Sequence, residues 1–191
     1  AWFGGGTDLT PYQPTVEDIV HFHRVLARRC DAFHPSLYAR FKPWCDEYFR
    51  NLHRGGEARG AGGVFFDHLR PGEDASGLDV DGCYAFADAI GRSLEEAYAP
   101  LVDRRKDAAY GERERHFQLV RRGRYVEFNL VHDRGTHFGL HTAARIESVL
   151  MSMPPLAAWP YDPQWEPGSP EARLLELLRP RDWLAEAETP A

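Results

Sequence analysis

Apolar positions along the chain follow two periods. Ile19, Phe22, His23, Leu26 and Cys30 recur at spacings of three and four, one face of an amphipathic helix, and Thr15-Val16-Glu17-Asp18 ahead of them has the form of a capping box. A second helical stripe runs through Leu37, Phe41, Trp44, Cys45, Tyr48 and Leu52. Pro43 is expected to kink or divide that helix, and Gly55-Gly56 to end it. Phe86, Ile90, Leu94, Ala97 and Leu101 predict a third helix, bent or stopped by Pro100. Residues 111–122 predict a fourth, acidic in its first turn, basic in its last and capped by Gly123. Ser169-Pro170-Glu171 opens a closing helix that carries Leu174, Leu175 and Leu178.

The other period is two. Residues 60–67 read as a buried strand. In 125–132, Val126, Phe128 and Leu130 alternate with Tyr125, Glu127 and Asn129, which predicts a strand; 133–136 is a turn and 137–142 should return antiparallel. Residues 145–153 alternate again, with Arg145 and Glu147 on one face. Residues 70–82, rich in Pro, Gly, Asp and Ser, form a surface loop. Trp2 and Phe3 run into Gly4-Gly5-Gly6 like a core strand, so the chain reads as a piece whose upstream portion is missing. Helices alternating with strands, then a run of antiparallel strands, predict an α+β fold in one domain over 1–191.

Composition narrows the function classes. Lys and Arg number 23 against 29 acidic residues, a formal charge of −6, which argues against nucleic-acid binding. No run of 18 uncharged apolar residues predicts a membrane span, and no basic segment followed by an apolar run predicts a secretory signal. Cys30, Cys45 and Cys83 are widely spaced and form no C-x-x-C pair, which disfavours a disulfide framework, a zinc ribbon or an iron–sulfur cluster and fits a reducing cytoplasm. The only lysines are Lys42 and Lys106; so strong an arginine bias is either coding bias or a supply of guanidinium forks for an anionic ligand.

Few residues offer chemistry. Asp8 follows the glycine triplet and is either a turn-forming Asp or a carboxylate facing a ligand. His23, on the apolar stripe, is either a satisfied core histidine or a ligand or acid–base group. His53 falls at the end of the second helix; two histidines thirty residues apart are a weak metal signature. Arg121, Arg122, Arg124, Arg134 and Arg145 are either solvated charges or a basic rim, with Arg145 foremost because its strand is apolar. Glu127 and Asn129 are solvated sheet surface or a pocket wall. Walker A, G-x-S-x-G, H-E-x-x-H and GxGxxG patterns are absent.

Several strings together resemble one family, the oxygen-dependent coproporphyrinogen III oxidases of haem biosynthesis: WFGGGTDLTP at 2–11, FKPWCDEYF at 41–49, HRGGEARGAGGVFFD at 53–67, RRGRYVEFNLVHDRGT at 121–136 and RIESVLMSMPP at 145–155. The resemblance is to the family's C-terminal two-thirds. It implies a cytoplasmic homodimer, joined through roughly 124–159, whose subunit has a large antiparallel sheet flanked by helices. It implies aerobic oxidative decarboxylation of two propionates of coproporphyrinogen III to vinyl groups, giving protoporphyrinogen IX. Dioxygen is then co-substrate and no organic cofactor is needed; a divalent metal, manganese in some bacterial members, has been argued both ways. Residue by residue, it implies that Asp8 holds the pyrrole N–H groups as substrate-binding and catalytic residue. Ala143, Ala144 and Arg145 would contact substrate, with Arg145 on a propionate, and His23 and His53 would be metal ligands. His68, His132, His137 and His141 receive no role. The departures are Pro43, His68 and Ala143-Ala144, and the family's upstream part, with further functional residues, implies that this chain alone is inactive or poorly folded. Other readings of the histidines and aromatics are a haem-carrying protein and a metal-dependent hydrolase.

Overall fold

Strand β1 (Phe3–Asp8) pairs antiparallel with β4 (Gly63–Leu69), Asp8 opposite Gly63 and Phe3 opposite Leu69. The computed structural model describes residues 1–73 and 76–186. A two-stranded ribbon is marginal in water by itself. Here Val64, Phe66 and Leu69 are buried under three helices: α1 (Val16–Asp31), α2 (Ser36–Tyr48) and α3 (Val80–Arg105). The rings of Phe41, Phe66 and Phe86 meet with centroids 5.0–5.7 Å apart and centre this core. Each such buried side chain contributes about 1.5–3 kcal/mol.

The three helices follow the apolar stripes, with local differences. Thr15 stands at the N-cap of α1, yet its hydroxyl bonds Gln13 and caps nothing. Asp18 instead ties α1 to the end of α3, through Arg104 at 2.8 Å and Arg105 at 2.7 Å. Burial would raise the Asp18 carboxyl, but these two guanidiniums outweigh it and hold the group below the usual carboxylate range. Pro43 lies on the exposed side of α2 and does not divide it, and Pro100 does not stop α3. α2 ends at Tyr48, so Leu52 and His53 fall outside it, in a single 3-10 turn (Leu52–Arg54) between the short paired strands β2 (Arg50–Asn51) and β3 (Glu57–Ala58). The surface loop is shorter than expected, since α3 starts at Val80, capped by Asp79; residues 74–75 and the tail at 187–191 lie outside the described residues.

The second half departs from expectation. Residues 125–131 are not a strand but the end of helix α4 (Glu112–Val131). The alternation of Val126, Phe128 and Leu130 is real but is not the burial pattern: Phe117, Val120, Arg121, Arg124 and Phe128 are buried at helical spacing, and Leu130 is exposed. Gly123 is therefore no cap. It sits inside α4 where an added Cβ would come within 2.6 Å of the Ala158 carbonyl, and this close crossing is what the residue permits. The expected return strand is α5 (Arg134–His141), capped by Asp133, and Arg145 precedes the single turn α6 (Ile146–Val149) instead of lying in a strand. The described residues thus form two two-stranded sheets and no large one. The mixture of helix and strand agrees with α+β. The closing helix α7 (Pro170–Leu177) is capped by Ser169 as its sequence predicts, and α8 (Trp183–Glu186) follows. Among the described residues no helix is long and apolar enough to cross a membrane.

Candidate functional site

β1 delivers Asp8 to the end of the ribbon, and the ladder continues past it through Leu9 N–H to Gly62 O at 2.9 Å and Ala61 N–H to Leu9 O at 2.8 Å. The loop 59–62 is thereby laid beside the carboxylate. Arg59 on that loop donates to Asp8 Oδ2 at 2.6 Å. Its guanidinium is buried, with Phe49, Tyr125 and Phe128 ring centroids 4.1, 4.7 and 5.0 Å away. A cation enclosed by three aromatic rings and one carboxylate is fixed in place. Sequence reading missed Arg59; its only signal was the HRGGEARGAGG string.

α2 supplies the opposite wall. Asp46, Cys45 and Asp8 line one small pocket of about 10 Å3, closed by Gly60 and Gly62. Lys42, one helical turn before Asp46, donates to Asp46 Oδ2 and to the Arg181 carbonyl, the latter at 2.6 Å. Burial outweighs the lysine and raises the Asp46 carboxyl above its ordinary value. Gly62 has φ +81°, and a Cβ there would stand 2.3 Å from Asp46 Oδ1. Both the backbone shape and the space require glycine at this position.

His23 is fully buried behind the same loop. Its Nε2 lies 3.1 Å from the Ala61 carbonyl, which can only accept, so Nε2 carries the hydrogen and Nδ1 accepts from Tyr38 Oη at 2.8 Å. Desolvation lowers its pKa to about 3, and the ring is neutral. Trp183 stacks on it and donates to the same Ala61 carbonyl at 3.2 Å. With both nitrogens committed, His23 as it stands here does not fit a metal.

His53 belongs to a different cluster. Its Nδ1 is 2.9 Å from His132 Nε2 and its Nε2 is 3.2 Å from Glu127 Oε2. Arg54 bonds both Glu127 oxygens at 2.5 Å, and Arg124 reaches one at 3.3 Å. Burial would raise the Glu127 carboxyl, but Arg54, Arg124 and His53 overcome it and hold it low. Among the described residues no three or more His, Cys, Asp or Glu side chains are grouped to hold a metal ion. The cluster borders a cleft of about 340 Å3 with Arg54, Arg121 and Arg124 along one side and Phe117 and Trp165 along another. The buried Arg121 is paired with Glu57 and also donates to the Ala58 and Arg59 carbonyls.

Among the described residues, Ala143, Ala144 and Arg145 make no hydrogen bond or ion pair with Asp8. Ala143 has φ +54°, Ala143 and Ala144 are exposed, and the Arg145 side chain is 79% exposed with Glu147 3.5 Å away. Arg145 lines neither the Asp8 pocket nor the arginine-sided cleft. In comparison with known proteins, residues 1–183 match the family model described as coproporphyrinogen III oxidase.

Proposed function

This chain belongs to the coproporphyrinogen III oxidase family, and from that premise we propose that it carries out the oxygen-dependent form of the reaction on a reduced tetrapyrrole. The family places it in porphyrin biosynthesis as an oxidative decarboxylase. In the proposed reaction each propionate becomes a vinyl group: the bond to the carboxyl carbon breaks, carbon dioxide leaves, and two electrons and a proton are given up. Dioxygen takes the electrons.

One observation supports this reading above the others. Asp8 lines a pocket and has one oxygen clamped by a buried guanidinium, which holds the carboxylate in a fixed orientation. Such a group accepts hydrogen bonds from pyrrole N–H donors and takes a proton when a ring is oxidised. The exposed Arg145 fork, with Ala143 and Ala144 beside it, offers a partner for a propionate at the outer edge of the macrocycle. No step is assigned to a metal, since His23 is saturated and His53 lies in a separate cluster.

The test is turnover of coproporphyrinogen III by the complete protein, with and without air. Carbon dioxide and protoporphyrinogen are expected in air only. Asp8→Asn should lower kcat on the order of 100-fold with an unchanged circular dichroism spectrum. A complete protein that releases no carbon dioxide refutes the reading, and equal activity without air refutes its oxygen dependence.

A further inference from the structure

The proposed reaction leaves a proton behind for each vinyl formed, and Asp8 is poorly placed to keep it. Its Oδ2 is already occupied by the Arg59 guanidinium 2.6 Å away, and the next turnover needs the other oxygen free, so the proton must move on. Asp46 lines the same pocket and repeats the design of Asp8. Its Oδ2 is held by Lys42; among the described residues neither Asp46 Oδ1 nor Asp8 Oδ1 has a hydrogen bond from the protein. The space they share, about 10 Å3, is that of a single water.

Resting on the reading of Asp8 above, we propose that Asp46 is the second carboxylate of the site and receives, through one water in that pocket, the proton that Asp8 takes from a pyrrole N–H. The N–H bond breaks with its electron pair left on nitrogen, and a bond forms to Asp8 Oδ1. The water then takes that proton and passes one of its own to Asp46 Oδ1. No electron crosses this path.

The surroundings suit a proton store. Two cations hold the two carboxylates, Lys42 from α2 on Asp46 and Arg59 from the loop on Asp8, and the anions near Asp46 are Asp8 across the pocket and, by the Tyr38 side, Asp182. Burial keeps His23 and the Cys45 thiol uncharged and raises Tyr38. Asp46 must be ionised to accept, so activity is lost as pH falls through its raised value. That limb belongs above the ordinary aspartate range.

The experiment measures kcat and KM against pH in the complete protein for Asp46→Asn, Asp46→Glu and Lys42→Gln. Asp46→Asn should lower kcat on the order of 100-fold, leave KM within about twofold and abolish the acid limb, and Asp46→Glu should restore both in part. Lys42→Gln removes the cation that opposes protonation, so its acid limb should move to higher pH. Asp46→Asn with unaltered kcat overturns the proposal. So do parallel losses in Asp46→Asn and Lys42→Gln with an unmoved limb, which would make Asp46 only the partner of Lys42. Should Asp46→Asn not fold, the Lys42→Gln limb decides: displacement supports the store and a fixed limb overturns it. A wild type without turnover instead strikes the reading of Asp8 itself.

Discussion

His23 donates to a backbone carbonyl and accepts from a tyrosine, and a second proton would place a charge in a dry interior with no solvent to stabilise it. The folded protein takes up that proton only near pH 3, whereas an unfolded chain does so near the ordinary histidine value of about 6.5. The folded pKa is the lower one, so this stability is fully present above about 6.5 and is lost as pH falls through the window below it. The loss is about 1.4 kcal/mol per pH unit. Urea denaturation from pH 7 to 4 should show wild type losing stability more steeply than His23→Gln by about one proton. Equal slopes would mean that His23 is charged in the folded protein. At this scale the sequence exposed Asp8, because glycines on one side and a turn on the other isolate it. It concealed Arg59 and Asp46, whose importance lies in partners supplied by distant segments: Asp8, Phe128 and the Gly62 backbone.

Among elements, α1, α3 and α7 were legible because a long apolar period fixes each one, with Asp79 and Ser169 as working caps on the last two. β4 was legible from its own short apolar run. The reading of 125–153 as strands failed because alternation over a few residues also fits a helix whose buried side chains begin further upstream. Phe117 and Val120 supply that longer register. Gly123 makes the point measurable. If α4 passes through it against Ala158, Gly123→Ala forces a methyl onto a carbonyl 2.6 Å away and should cost about 1–3 kcal/mol, despite alanine's better helix propensity. An uncrowded glycine inside a helix would gain from the change, so unaltered or raised thermal stability would rule out the close crossing at Ala158.

For the whole molecule, about half of the large apolar residues left in water among the described ones fall in the stretch 130–161. Leu130, Val131, Phe138, Ile146, Met151, Leu156 and Trp159 are all exposed, Met151 to 82%. Apolar side chains left in water suit an interaction surface, and we propose that a second copy of the chain, which the resemblance implies, covers them. Sedimentation of the complete protein should give a dimer, and Phe138→Glu or Met151→Glu should each raise its Kd on the order of tenfold. A monomer at all concentrations would refute this. The form of this segment was not legible in the sequence, because the same apolar residues would serve an edge strand or a helix.

The Ala61 carbonyl is gripped twice, by His23 and by the indole of Trp183, and the Lys42 ammonium reaches over to the Arg181 carbonyl. The chain's far end therefore works as a clasp on the loop that braces Asp8. A cleavage between Leu178 and Trp183 should therefore loosen that brace and, with Leu178 and Pro180 on its wall, the pocket beside Asp8.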